Sequence, residues 1–258
     1  MNKTLVAMIV LCFGTAAFGN ELCSDIGLRS AYKPVTFGDS WMCFVYTSDM
    51  SEANGKNISV DPDGLAIYSV AKGRRPQLVY DLPYAGTAGK INDAFVVAFD
   101  GDEDKKLFVL HSAEAPGSWD AVGDVYDVSV INIGSSEVVL DRALSRFFDL
   151  GADIVDAGGG IKFFYPYKDR RSVEKAINSP IFRSIRTSLP VDGVVTGKTL
   201  IYNGALEPAT WEPSIKYVAK GVHVTLEDSS AGWCKVSFTE NLKRSQMWLL
   251  CEAVEFSK

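Results

Sequence analysis

The sequence predicts a β-rich α+β protein: an antiparallel-sheet domain over residues 20–189, followed by a small all-β domain over 190–258. Three observations carry this. Short apolar runs alternate with turn chemistry up to Asp141, two helical patterns follow only after that point, and period-two alternation returns in the tail. At 47% hydrophobic and 22% charged residues, the composition is that of an ordinary globular chain, and 258 residues suffice for two domains.

In the first domain the expected strands are "CFVYT" (43–47), "GLAIYSV" (64–70), "PQLVYDL" (76–82), "AFVVAFD" (94–100), "KLFVLH" (106–111), "VYDVSVINI" (125–133) and "EVVLD" (137–141). Between them "DPDG", "KGRR", "DGDED" and "IGSS" supply residues that tolerate hairpin turns. "RALSRFFDLG" spaces Leu144, Phe147, Phe148 and Leu150 for one helix face and ends at Gly151, which reads as its C-cap. "IKFFYPY" (161–167) is a further strand. "DRRSVEKAINS" (169–179) reads as a helix that stops before Pro180, and that proline opens another short turn.

In the tail, "GKTLIYNGA" (197–205) is a strand ending at an Asn-Gly turn, and "ALEPATWEPSIKYVAKG" an irregular loop with a short extended end. "VHVTLED" (222–228) sets Val222, Val224 and Leu226 against His223 and Thr225, a half-buried strand. "WCKVSF" (233–238) returns with Cys234, Val236 and Phe238 on one face; "TENLKRSQ" is a polar loop, and "MWLL" begins the last strand. The ordered pieces Lys220-Gly221, Val222–Leu226, Gly232-Trp233-Cys234-Lys235-Val236, Trp248-Leu249 and Val254 resemble the bacterial SH3-like domain family over the last quarter of the chain. The resemblance implies a small SH3-like β-barrel and a module that binds peptides, proteins or cell-wall material. Met247 stands where that family commonly has glycine.

The first twenty residues, "MNKTLVAMIVLCFGTAAFGN", combine Lys3, an apolar run from Leu5 to Phe13, and the small residues Ala17 and Gly19. That is the pattern of a signal peptide over 1–19, too short in its apolar part for a span of about 20 residues. Leu11 before Cys12 lacks the small residue that lipidation wants. The expected location is periplasmic or secreted, with no membrane segment in the mature chain. Four cysteines then remain, Cys23, Cys43, Cys234 and Cys251. An oxidising compartment favours disulfides, with three possible pairings; the local one, Cys23–Cys43 and Cys234–Cys251, closes two short loops. In an SH3-like barrel, adjacent strands would bring Cys234 within reach of Cys251.

Cleavage would remove Lys3 and leave 25 basic against 32 acidic side chains, which gives no footprint for nucleic acid. No Cys-x-x-Cys is present, and neither a metal nor a cofactor is expected. "GVVTGKT" (193–199) has three residues between its glycines where a phosphate loop needs four. Asp100, Asp102 and Asp104 start like a calcium loop, but Lys105 and His111 stand where glycine and glutamate belong. His111, Ser112, Glu114 and Asp120 lie close in sequence without a nucleophile elbow. "YKDRRSVEK" (167–175) reads as a solvated helix face, or a grip for an acidic partner.

The leading expectation is therefore an exported, non-enzymatic binding protein for a protein, peptide or peptidoglycan ligand, of the kind that inhibits an enzyme or neutralises a toxin. Tyr202, Trp211, Tyr217 and Trp248 are the ligand-binding candidates, because large flat side chains dominate binding hot spots. The alternative is a cell-wall hydrolase anchored by the SH3-like domain, with His111 its first test residue.

Overall fold

The computed structural model describes residues 22–47, 64–83, 86–99, 105–117, 119, 122–134, 137–155, 161–202, 216–240 and 243–257. The expected signal peptide, Trp211, Asp100, Asp102, Asp104 and Asp120 lie outside them. Four strands open the chain as an antiparallel meander: β1 (Ser30–Phe37), β2 (Ser40–Tyr46), β3 (Leu65–Ala71) and β4 (Gln77–Asp81). β1 was not anticipated. It carries Pro34, its register on β2 shifts twice, and its burial does not alternate. The "KGRR" turn joins β3 to β4, with Gly73 at φ 74 supplying the left-handed residue. A disulfide, Cys23–Cys43, ties the segment before β1 to β2.

The second sheet runs in the order β10-β9-β7-β6-β5, from β5 (Gly89–Ala98), β6 (Lys105–Ala113), β7 (Val122–Asn132), β9 (Gly151–Val155) and β10 (Ile161–Phe163). The two-residue β8 (Val139–Leu140) pairs beside β7. β6 is buried from Lys106 to Ala113 because both faces are covered. Leu107 and Val109 pack with Met42, Phe44, Leu65 and Ile67 of the meander. Phe108 and Leu110 point the other way, toward the helices. A strand covered twice carries a continuous apolar run, here "LFVL" (107–110).

Three helices cover that second face: α1 (Arg142–Phe148), α2 (Arg170–Ile177) and α3 (Pro180–Thr187). Each starts on an oxygen that accepts from the first turn: Asp141 from the Leu144 N–H, Asp169 in a capping box with Ser172, and Ser179 from the Phe182 N–H. Phe147, Phe148 and Phe182 interlock, with Phe147–Phe148 at 4.9 Å and 86° between planes. Two expectations need correction. Pro180 opens the two-turn α3 rather than a short turn, since proline fits the first helical position. And α1 ends at Phe148, not at a Gly151 cap: Asp149 takes φ 42, its carboxylate accepts from the Leu150 N–H and the Ser230 hydroxyl, and Leu150 is left exposed. Gly151 is small for another reason. A Cβ there would lie 2.3 Å from Cδ2 of Tyr165, so the glycine admits that ring.

The tail forms a five-stranded antiparallel sheet, order β16-β15-β14-β11-β17, from β11 (Asp192–Val195), β14 (His223–Ser230), β15 (Trp233–Glu240), β16 (Lys243–Leu250) and β17 (Val254–Phe256). A short hairpin, β12 (Thr199–Leu200) with β13 (Tyr217–Val218), lies between β11 and β14, and a 3-10 turn (Cys251–Ala253) precedes β17. Val224, Leu226, Cys234, Val236 and Phe238 share a core on one face. The expected polar loop 239–246 is mostly strand, because β15 and β16 stay paired out to Glu240↔Lys243. The sheet is open: β16 and β17 are its edges, and only a bridge from Tyr202 to Trp248 adds to the β16 side. Cys234 pairs in register with Leu249, which carries Cys251 to disulfide distance with a Cα separation of 5.0 Å.

The two halves share a core. Trp233 and Trp248 belong to the same buried cluster as Phe108, Phe148 and Phe182. The Ala231 N–H donates to Phe147 O (3.0 Å), and Phe163 packs on Trp233 at 5.3 Å. Gly232, at φ 86, lets Pro166 approach: a Cβ there would be 2.7 Å from Pro166 Cγ.

Candidate functional site

Of the four aromatic candidates, the structure brings two together: Trp248 is buried, and Tyr202 is half-buried against it. Trp248 is 8% exposed and exchanges backbone hydrogen bonds with Tyr202 (2.8 and 3.0 Å). Tyr202 stands edge-on to Trp233 at 5.0 Å, and burial raises its hydroxyl pKa. Both side chains serve the joint between the halves. Tyr217 is different: its ring is 55% exposed, directly across from the exposed Leu200, with the Lys198 ammonium 3.6 Å above it.

His111 and its neighbours form a compact polar cluster within the second sheet. Asp127 lies directly opposite His111 on β7, with Oδ2 3.5 Å from Nδ1, and accepts from the Ser129 hydroxyl at 2.8 Å. The other ring nitrogen lies 3.0 Å from the carbonyl of Pro83. The composition resembles a hydrolytic triad, but the burial does not. His111, Asp127 and Ser129 are 3%, 7% and 2% exposed, and none lines a described cavity.

Two side chains of the basic cluster are committed as well. Lys168 pairs with Asp153, and Arg170 grips Asp93 through two bonds of 2.7 and 3.0 Å while lying 4.4 Å over the Phe95 ring. Tyr32 donates to the same carboxylate at 3.1 Å, so Asp93 links the meander, the second sheet and α2. Arg170, helped by the Ala94 N–H and Tyr32, holds the Asp93 carboxyl below its ordinary range. A depressed acid stabilises the fold above the usual carboxylate range and loses that contribution as pH falls through its folded value. Asp93→Asn is therefore expected to cost at most about 1 kcal/mol at neutral pH and to flatten the acid side of the stability profile, read by urea titrations from pH 7 to 3.

A groove of about 850 Å³ opens in the C-terminal sheet. Its walls are Gly221–Thr225 at the start of β14 and Ser237–Thr239 near the end of β15, with Asp192 and Arg244 at its sides. Val222, Val224 and Phe238 make it apolar on one side; His223, Thr225, Ser237 and Thr239 bring hydrogen-bonding groups. The charged groups are already engaged. The Thr225 hydroxyl donates to Asp192 at 2.6 Å, and Arg244 donates to Glu227 and to the Ser237 hydroxyl. Ser237 and Arg244 together hold the Glu227 carboxyl below its ordinary range. Such a groove can hold uncharged groups in a fixed orientation. Among the described residues, no three of His, Cys, Asp and Glu gather as they would around a metal ion.

Sequence reasoning did not name this groove, although Gly221 and Val222–Thr225 belong to the stretch that carries the SH3-like resemblance. No family model matches the chain, and neither a curated protein nor a solved structure matches it.

Proposed function

We propose that the chain is an exported binding protein that recognises a protein or peptide through an SH3-like C-terminal module. The observation that carries this is the groove of about 850 Å³ between β14 and β15, polar along one side and apolar along the other, within the usual size of a ligand site. The module is supported by the ordered pieces Lys220-Gly221, Val222–Leu226, Gly232–Val236, Trp248-Leu249 and Val254, and by the antiparallel sheet on which they lie. Two cysteine pairs at disulfide distance, and no described helix long and apolar enough to cross a membrane, fit a periplasmic or secreted location. The burial of His111 removes the residue on which a hydrolytic reading most depends.

The test immobilises the mature chain and presents purified peptidoglycan and envelope proteins in parallel. The expected result is retention of a proteinaceous ligand, identified by mass spectrometry, reduced at least tenfold by Thr239→Trp, which fills the groove from an exposed position. Soluble fragments released from peptidoglycan, or retention indifferent to Thr239→Trp, would overturn the reading.

A further inference from the structure

The groove lies where β14 is paired along one edge alone. On the β15 side its ladder stops at Thr225↔Ser237, after Leu226↔Val236. On the opposite edge it pairs with β11 through Asp192↔Thr225, Gly193↔Val224 and Val194↔His223. A continued ladder would set Val224 against Phe238 and His223 against Thr239. Neither pair forms, although β15 runs on beside β16 through Phe238↔Ser245, Thr239↔Arg244 and Glu240↔Lys243. The two strands splay, and each turns an edge into the groove. In an antiparallel strand the backbone groups point alternately to the two sides, so the groups of Phe238–Glu240 that face away from β16 meet no strand among the described residues.

Resting on the reading of the chain as a peptide-binding protein, we infer that the groove takes its ligand by strand addition. An extended, uncharged segment of a partner protein pairs its backbone with the edge of β15 at Phe238–Glu240. Period-two geometry then sends alternate guest side chains to opposite faces. One set meets Val222, Val224 and Phe238; the other meets the hydroxyls of Thr225, Ser237 and Thr239 and the His223 ring. The guest is uncharged along this stretch because Asp192 and Arg244 are already satisfied by Thr225, Glu227 and Ser237, and an added ion would have to break those bonds. Main-chain pairing supplies affinity, and the alternation supplies selectivity.

The probe is a fluorescein-labelled heptapeptide of alternating valine and threonine, tested on the mature chain by anisotropy beside the same peptide N-methylated at alternate residues. N-methylation removes donors from one edge and leaves every side chain in place. The expected result is binding weakened about tenfold or more by N-methylation, with amide exchange at Thr239, whose N–H faces away from β16, slowed at least tenfold by the unmodified peptide. Thr239→Pro, which deletes an edge donor, is expected to abolish binding where Thr239→Val retains it; should the proline variant not fold, the two peptides decide alone. Equal binding of the two peptides overturns strand addition and leaves a peptide-binding protein standing. Binding of neither overturns it too, and the capture experiment then judges the broader reading separately. A dimer of the free chain that the peptide dissociates would place a second copy in the groove and overturn the partner-peptide assignment.

Discussion

Truncating Trp248 to alanine is expected to lower the free energy of unfolding by about 3–5 kcal/mol, the range for removing a buried aromatic side chain. The size follows from position. Trp248 is 8% exposed and sits in the cluster that joins the tail sheet to Phe108, Phe148 and Phe182. Its backbone holds Tyr202 against β16, and Tyr202 in turn packs edge-on to Trp233. The loss should therefore be felt on both sides of the joint: amides of α1 and of β15 should exchange faster together, and urea should unfold the chain in one earlier transition. A variant that exposes β15 and leaves α1 as protected as before would show that the halves are independent, against the shared core. Tyr217→Ala is the companion measurement. Its ring is 55% exposed, so the expected change is within about 0.5 kcal/mol, and any effect on capture of a ligand would belong to binding. The two aromatics are alike in the sequence and opposite in their surroundings.

That contrast marks what was legible and what was not. β6 could be read because its middle, Leu107–Leu110, is apolar toward both faces, and β14 because a half-buried strand alternates. α2 announced itself with Asp169, whose carboxylate accepts from the Ser172 N–H as the cap. β1 and β9 carried no such signal. β1 holds a proline and two register shifts, and β9 begins at a glycine whose smallness serves the Tyr165 ring. Aromatic residues in the tail drew attention as binding candidates because composition cannot say which side of a sheet another domain will cover. The groove was invisible for a related reason. His223, Val224 and Thr225 alternate identically whether or not β15 continues beside them, and the end of that ladder at Thr225 is decided by tertiary pairing alone.

Replacing Cys234 and Cys251 together by alanine is expected to cost about 3 kcal/mol, since a disulfide across 17 residues removes that much loop-closure freedom from the unfolded chain. Alanine is the informative replacement: Cys234 is wholly buried among Val224, Val236 and Leu249, where a serine hydroxyl would add a penalty of its own. The consequence should also be local. Cys251 begins the 3-10 turn that leads into β17, and β17 is held to β11 by only three residue pairs. β11 in turn supports the part of β14 that has left β15, so the bond steadies one wall of the groove at two removes. Amides of Val254–Phe256 should exchange faster in the double variant, and retention of a ligand should fall with them. The Cys23–Cys43 pair closes a loop of similar size, 20 residues, on the outer meander. Its removal should cost a comparable stability and leave the groove's binding unchanged. Urea titrations of the two double variants beside the parent, with and without reductant, measure both expectations. If reduction leaves the parent's midpoint where it was, the tail sheet holds without its bond, and the case for an oxidising compartment loses its energetic footing.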